Sequence, residues 1–119
     1  MSCLFDSLSY FIDENSYDIR QKICDYMQDN KPIIEGLDTN IVLSFENQDH
    51  ITYIENMRKT LTLGGAIEIQ VACNIWNLKI NVKNGRDIGD KDIDFLPIDK
   101  SYERVIDICW TGNHYDPIK

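Results

Sequence analysis

Helical periodicity fills the first two-thirds of this chain and strand patterns fill its last third. That division limits the available folds more than any other feature. In SYDIRQKICDYMQDN, Ile19, Ile23, Tyr26 and Met27 recur at helical spacing, with Asn15 or Ser16 as N-cap and Asn30 and Pro32 as the stop. Before it, LFDSLSYFI is short, mostly apolar and opens directly after Cys3. HITYIENMRKTL reads as a helix with Ile51, Ile54, Met57 and Leu61 on one side. Two glycines then mark a tight turn, and Ile67, Val71, Ala72, Ile75 and Trp76 form a helical stripe predicted to be buried. From there the period changes. LKINV alternates apolar residues as a strand does, while IDFLPI and ERVIDICW read as further strands, with Val105 and Ile108 among the apolar positions of the last. NGRDIGDKD is a charged surface loop or hairpin, and TGNHYDPI a loop leaving the final strand. The stretch from Ile33 to Glu46 stays open, since IVLSF fits a short strand or part of a helix. Helices first and strands last predict an α+β domain, with helices packed on a small, largely antiparallel sheet.

The 119 residues suit one domain, spanning 1–119 and built around a single hydrophobic core. An apolar fraction of 43% with 27% charged residues is ordinary for a soluble globular protein. No apolar run approaches the roughly 18 residues of a membrane span, and the N-terminus lacks the basic and apolar regions of a secretory signal. The expectation is a cytoplasmic protein with no membrane association. A net charge of −8 argues against nucleic-acid binding, which needs clustered Lys and Arg, and suits a basic partner. Cys3, Cys24, Cys73 and Cys109 are widely spaced with no C-x-x-C pair, so neither disulfides nor a metal site is expected. Cys24, Cys73 and Cys109 fall in apolar stripes and read as core thiols.

Cys3 is different, because it stands where a helix begins. There the macrodipole and unpaired backbone N–H groups stabilise a thiolate, the nucleophilic form. An ordinary small residue near a chain end is the plainer reading of the same position. Of the two histidines, His50 opens a polar-faced helix and reads as a solvated or capping residue. His114 follows an apolar strand, in a Gly-Asn turn, with Asp116 two residues on. Residues two apart in an extended segment point to one side, so the Asp116 carboxylate can orient the His114 ring. That is the logic of a Cys/His/Asp nucleophilic site.

The wording around these residues is more particular than the residues alone. CLFDSLSYFI, DIRQKICDYM, YIENMRKTLTLGGAIEIQVACNIWNLKINV and WTGNHYDPI, in that order, resemble segments of the ovarian-tumour (OTU) family of deubiquitinating cysteine proteases, whose fold is papain-like. The resemblance covers nearly the whole chain. It implies Cys3 as nucleophile, His114 as general base and acid, and Asp116 as the residue that orients the histidine. It implies hydrolysis of the isopeptide bond at the ubiquitin C-terminus, with no metal or cofactor. The implied partner is ubiquitin or polyubiquitin, with ubiquitin-like modifiers as a further class, acted on by a monomer. Thr62-Leu63-Gly64-Gly65 matches the turn beside the channel for the ubiquitin tail; Leu63 stands where the family usually has Trp, and Trp110 is expected beneath the histidine loop or along that channel.

The sequence departs from the family pattern before the cysteine. The family's Asp-Gly-Asn helps to build the oxyanion hole, and here only Met1 and Ser2 precede Cys3. Either the Cys3 backbone N–H with another loop N–H, or the nearby α-amino group, is expected to substitute, unless the natural protein starts further upstream. The alternative is a non-catalytic or weakly active ubiquitin-binding module that lacks this aspartate. A minimal domain of this composition suits a viral or intracellular-parasite protein acting in host cytoplasm, with linkage choice carried by surface segments at 33–46 and 84–100.

Overall fold

The computed structural model describes residues 3–85, 92–112 and 114–119. Residues 1, 2, 86–91 and 113 lie outside it, and with them Met1, Ser2, Asn113 and most of the expected charged loop. Helix α1 runs Cys3–Phe11 and α2 Ser16–Gln28. Asn15, rather than Ser16, caps α2: its side-chain oxygen accepts from the Asp18 N–H at 2.8 Å. The undecided middle holds a two-stranded antiparallel pair, β1 (Pro32–Ile34) and β2 (Leu37–Asp38), and then helix α3 (Thr39–Phe45), so IVLSF is helical. Helices α4 (His50–Met57) and α5 (Ala66–Trp76) follow, and the α5 helix ends at Asn77 in the left-handed conformation.

The last third folds into one sheet with strand order β4-β3-β5-β6. Its strands are β3 (Leu78–Asn84), β4 (Ile93–Phe95), β5 (Arg104–Trp110) and β6 (Tyr115–Pro117). The outer pairings are antiparallel, while the central pair, β3 with β5, is parallel from Leu78↔Arg104 to Asn84↔Trp110. Alternation turns Ile80, Val82, Ile106 and Ile108 into the core. Val105 faces outward and is exposed, because it stands one residue out of that phase. TGNHYDPI is not wholly a loop: Tyr115–Pro117 returns along β5 as an edge strand.

Two further expectations change on the helices. On α4 only Ile54 and Met57 are buried; Ile51 lines an open pocket with Gln28, at the end of α2, and Leu61 lies beyond the helix end. On α5 the buried stripe is Glu68, Ile69, Val71, Ala72 and Cys73, with Ile67, Ile75 and Trp76 only half-buried, since α5 packs against both α2 and the sheet. His50 is half-buried rather than freely solvated, and it caps a neighbouring helix. Its Nε2 lies 2.7 Å from the Met27 carbonyl oxygen and ties the start of α4 to the end of α2.

The polar centre of the fold is Arg20, fully buried on α2. Its guanidinium donates to the carbonyl oxygens of Met57 (2.7 Å), Thr60 (3.3 Å) and Thr62 (2.8 Å), and stacks 4.1 Å from the Phe5 ring centroid. One side chain thus joins α1, α2 and the segment that leaves α4. Lysine has no planar fork to reach several carbonyls while stacking on a ring. Replacing Arg20 by Ala or Lys should therefore cost about 3–5 kcal/mol in urea unfolding, from lost charged hydrogen bonds and buried carbonyls left unpaired. A cost below about 1 kcal/mol would contradict this role.

The segment held by Arg20 runs into Gly64, which leans on α1. A Cβ there would stand 2.7 Å from Leu4 Cδ2 and 3.0 Å from the Phe5 ring. Neither side chain has room to retreat, because both are fully buried. Gly64→Ala should destabilise by about 1–3 kcal/mol through overpacking. Gly65→Ala, whose Cβ would come no nearer than 3.9 Å to the Glu68 carboxylate, is the matched control in the same denaturation assay and should cost clearly less.

Candidate active site

Cys3 is the first residue of α1, where backbone N–H groups have no partner within the helix and the dipole is positive. Its side chain is almost covered, at 7% exposure, and leaves only a small opening. One turn on, the Ser7 hydroxyl donates to the Cys3 carbonyl at 2.8 Å. Helical spacing separates two faces of α1 at this end. Leu4 and Phe5 face Gly64 and Arg20, whereas Cys3, Asp6 and Ser7 share a stripe towards β6.

His114 and Asp116 reach the same place from the other end of the chain. After β5 the chain reverses in a tight turn closed by the Thr111 N–H donating to the His114 carbonyl at 3.0 Å. Gly112, at φ +106°, supplies the left-handed backbone that the reversal needs. The pairs Trp110↔Tyr115 and Cys109↔Asp116 then set the register of β6. His114 Nε2 lies 3.1 Å from Asp116 Oδ1; a carboxylate can only accept, so this nitrogen is the donor of the pair. Cys3, Asp6, Ser7, His114, Tyr115, Asp116 and Pro117 together line an open pocket of about 280 Å³. The three residues of the expected site are therefore brought to one cavity.

The other expected residues lie elsewhere. Leu63, Gly64 and Gly65 line a separate pocket of about 310 Å³ with Glu46, Tyr53 and Met57. Leu63 is exposed, and the aromatic side chain that lines this pocket is Tyr53. Trp110 is half-buried on β5 beside Tyr115 and does not line the Cys3 pocket. Among the described residues, no group of His, Cys, Asp and Glu is arranged to hold a metal ion, and no helix is long and apolar enough to cross a membrane.

Burial sorts the thiols. Cys24 and Cys73 are fully buried, and burial pushes both up to about 12, so neither ionises at neutral pH. Cys109 is half-buried rather than a core thiol, since it lies on the outer face of β5, beside Gly85. Tyr115, in the Cys3 pocket, is raised by burial and then by the negative charges of Cys3 and Glu68, and stays a neutral phenol. Sequence reasoning passed over Glu68. This buried carboxylate accepts from the Gly65 N–H and the Tyr53 hydroxyl, both at 2.7 Å, and fastens the Gly64–Gly65 turn to α5. Its signal was a glutamate three residues after the turn glycine, at the position of a capping box. Asp6 and Ser7 were also passed over, although they follow Cys3 at helical spacing.

Comparison with known proteins agrees with this geometry. The model of the OTU-like cysteine protease family matches residues 2–115. Ubiquitin thioesterase OTU1 of Xenopus laevis and that of Danio rerio are each 26% identical, over 99% of this chain and 38% of the relative. The chain thus spans about two-fifths of the length of these curated relatives. A solved ovarian tumor (OTU) domain in complex with ubiquitin superposes with a TM-score of 0.77 at 23% identity, over 98% of this chain and 62% of that one. A family model that matches from α1 to the start of β6 settles the kinship: this chain belongs to the OTU-like cysteine protease family.

Proposed function

We propose that the chain is a deubiquitinase, a thiol hydrolase of the isopeptide bond at the ubiquitin C-terminus, with Cys3 as nucleophile, His114 as base and acid, and Asp116 as its orienter. One observation carries the reading: Cys3 and His114 line one pocket, and Asp116 holds one nitrogen of the imidazole. The relatives named ubiquitin thioesterases and the OTU domain bound to ubiquitin support ubiquitin as partner.

His114 Nδ1 takes the Cys3 proton, and the imidazolium is steadied by Asp116 while the thiolate is steadied by the start of α1. The Cys3 sulfur attacks the carbonyl carbon of the terminal glycine. The C–N bond breaks as His114 returns the proton to the departing nitrogen, and the lysine amine leaves. Water, deprotonated by His114, then attacks the thioester, and the Cys3 sulfur departs with the carboxyl product released. Leu63, Gly64 and Gly65, expected beside the channel for the tail, line a pocket separate from that of Cys3, so the proposed site leaves them out. The domain is read as 1–119, acting as a monomer in cytoplasm, that of a host cell for a viral protein. The linkage and any ubiquitin-like substrate are left to the surface segments.

The test is turnover of diubiquitin and of a ubiquitin C-terminal fluorogenic amide. Cys3→Ala should abolish cleavage. His114→Ala should lower kcat by about 10²–10⁴-fold, the usual worth of a positioned acid–base group. Asp116→Asn should lose about tenfold to a hundredfold, as one hydrogen bond to a charged group is weakened. Wild-type protein that binds ubiquitin yet cleaves neither substrate would favour the non-catalytic module instead.

A further inference from the structure

The thiol cycle uses Cys3, His114 and Asp116 and leaves Tyr115, which lines the same pocket, without a part. Alternation along β6 puts Tyr115 on the side opposite to Asp116. That is the side of the core: Tyr115 pairs with Trp110, packs with it against the core cluster, and is half-buried where Asp116 is exposed. Helix α1 packs on the same strand, with Cys3 as its first residue. The phenol stands within electrostatic reach of the Cys3 sulfur. Burial holds its proton most firmly, and the negative charges of Cys3 and Glu68 add to the hold. Among the described residues its hydroxyl has no hydrogen-bond partner. A tyrosine removed from water ordinarily finds one, so this pocket contains a neutral donor that the fold does not use.

We infer that Tyr115 is a further catalytic residue, whose hydroxyl donates to the carbonyl oxygen of the ubiquitin terminal glycine as the Cys3 sulfur adds. This inference rests on the deubiquitinase reading. When the sulfur–carbon bond forms, the carbonyl π pair moves onto oxygen, and it returns to carbon as the C–N bond breaks. The oxygen carries a full negative charge only in between, so a donor beside it favours the intermediate over the bound substrate. Hydrolysis of the thioester passes through the same charge, with water adding and sulfur leaving. The phenol keeps its proton throughout: it donates a hydrogen bond and leaves proton transfer to His114.

The experiment compares wild type with Tyr115→Phe, which removes one oxygen and keeps the ring, on two ubiquitin reagents. In the C-terminal fluorogenic amide, Cys3 attacks a carbonyl and an oxyanion forms. In ubiquitin whose terminal glycine is replaced by propargylamine, the same sulfur attacks an alkyne carbon and no oxyanion forms. Tyr115→Phe should lower kcat/KM for the amide about tenfold to a hundredfold, the worth of a hydrogen bond to a charged group. It should leave the second-order rate of alkyne adduct formation at the wild-type value, which also shows that the variant is folded and binds ubiquitin. An equal slowing on both reagents means that the ring merely seats Cys3 or the tail, and overturns the assignment. An amide rate that does not move overturns it as well. Wild type that fails to turn over the amide overturns the deubiquitinase reading itself, whether or not the alkyne labels Cys3.

Discussion

The Arg20 guanidinium, buried with full charge, is the constraint around which the helices are set. A charge removed from water costs many kcal/mol unless its hydrogen bonds are replaced. Here the replacements are the carbonyls of Met57, Thr60 and Thr62 together with the face of Phe5. The attraction of Glu68, itself buried and held by Tyr53 and Gly65, opposes the effect of burial on Arg20. These partners come from three parts of the chain: Phe5 from α1, Met57, Thr60 and Thr62 from the end of α4 and the segment after it, and Glu68 from α5. Satisfying one charge therefore places α1, the end of α4 and the turn before α5 relative to one another. The carbonyls must converge, so the segment from Met57 to Thr62 cannot relax into an ordinary surface loop.

That arrangement gives the start of α1 two unlike sides. Phe5 and Leu4 are pressed between Arg20 and Gly64, which leaves no freedom for the helix to roll. Cys3, on the next stripe, is then obliged to face β6, whose register on β5 is fixed by Trp110↔Tyr115 and Cys109↔Asp116. The packing of the helix and the pairing of the strand are independent constraints, and they meet at one pocket. Burial of Cys24 and Cys73 in the same core raises their thiols to about 12, leaving the helix terminus as the place suited to a nucleophilic sulfur.

Much of this was legible from local pattern. The α+β order, the helix beginning at Cys3, the Asn15 region as a cap and the His-x-Asp spacing all depend on residues close in sequence. The misreadings share one physical cause: they concern which neighbour lies on the other side. Ile51 has helical spacing with Ile54 yet is exposed, because α2 stops at Gln28. Val105 is apolar but out of phase with Ile106 and Ile108, and His50 reads as a surface residue until the Met27 carbonyl is placed beside it. The parallel pairing of β3 with β5 also leaves no local trace, since either orientation accommodates LKINV and VIDIC. Arg20 and Glu68 look like surface charges in an amphipathic helix, and only the converging carbonyls and the glycine turn show why they are buried.

The central claim is that one thiol of four is built to meet the ubiquitin C-terminus. Incubation with ubiquitin bearing a thiol-reactive electrophile at that end, followed by intact mass and peptide mapping, tests it most directly. The account predicts a single ubiquitin-sized adduct at Cys3, with Cys24, Cys73 and Cys109 unmodified in the folded protein. An adduct at Cys109, or a folded protein that forms none, would contradict it.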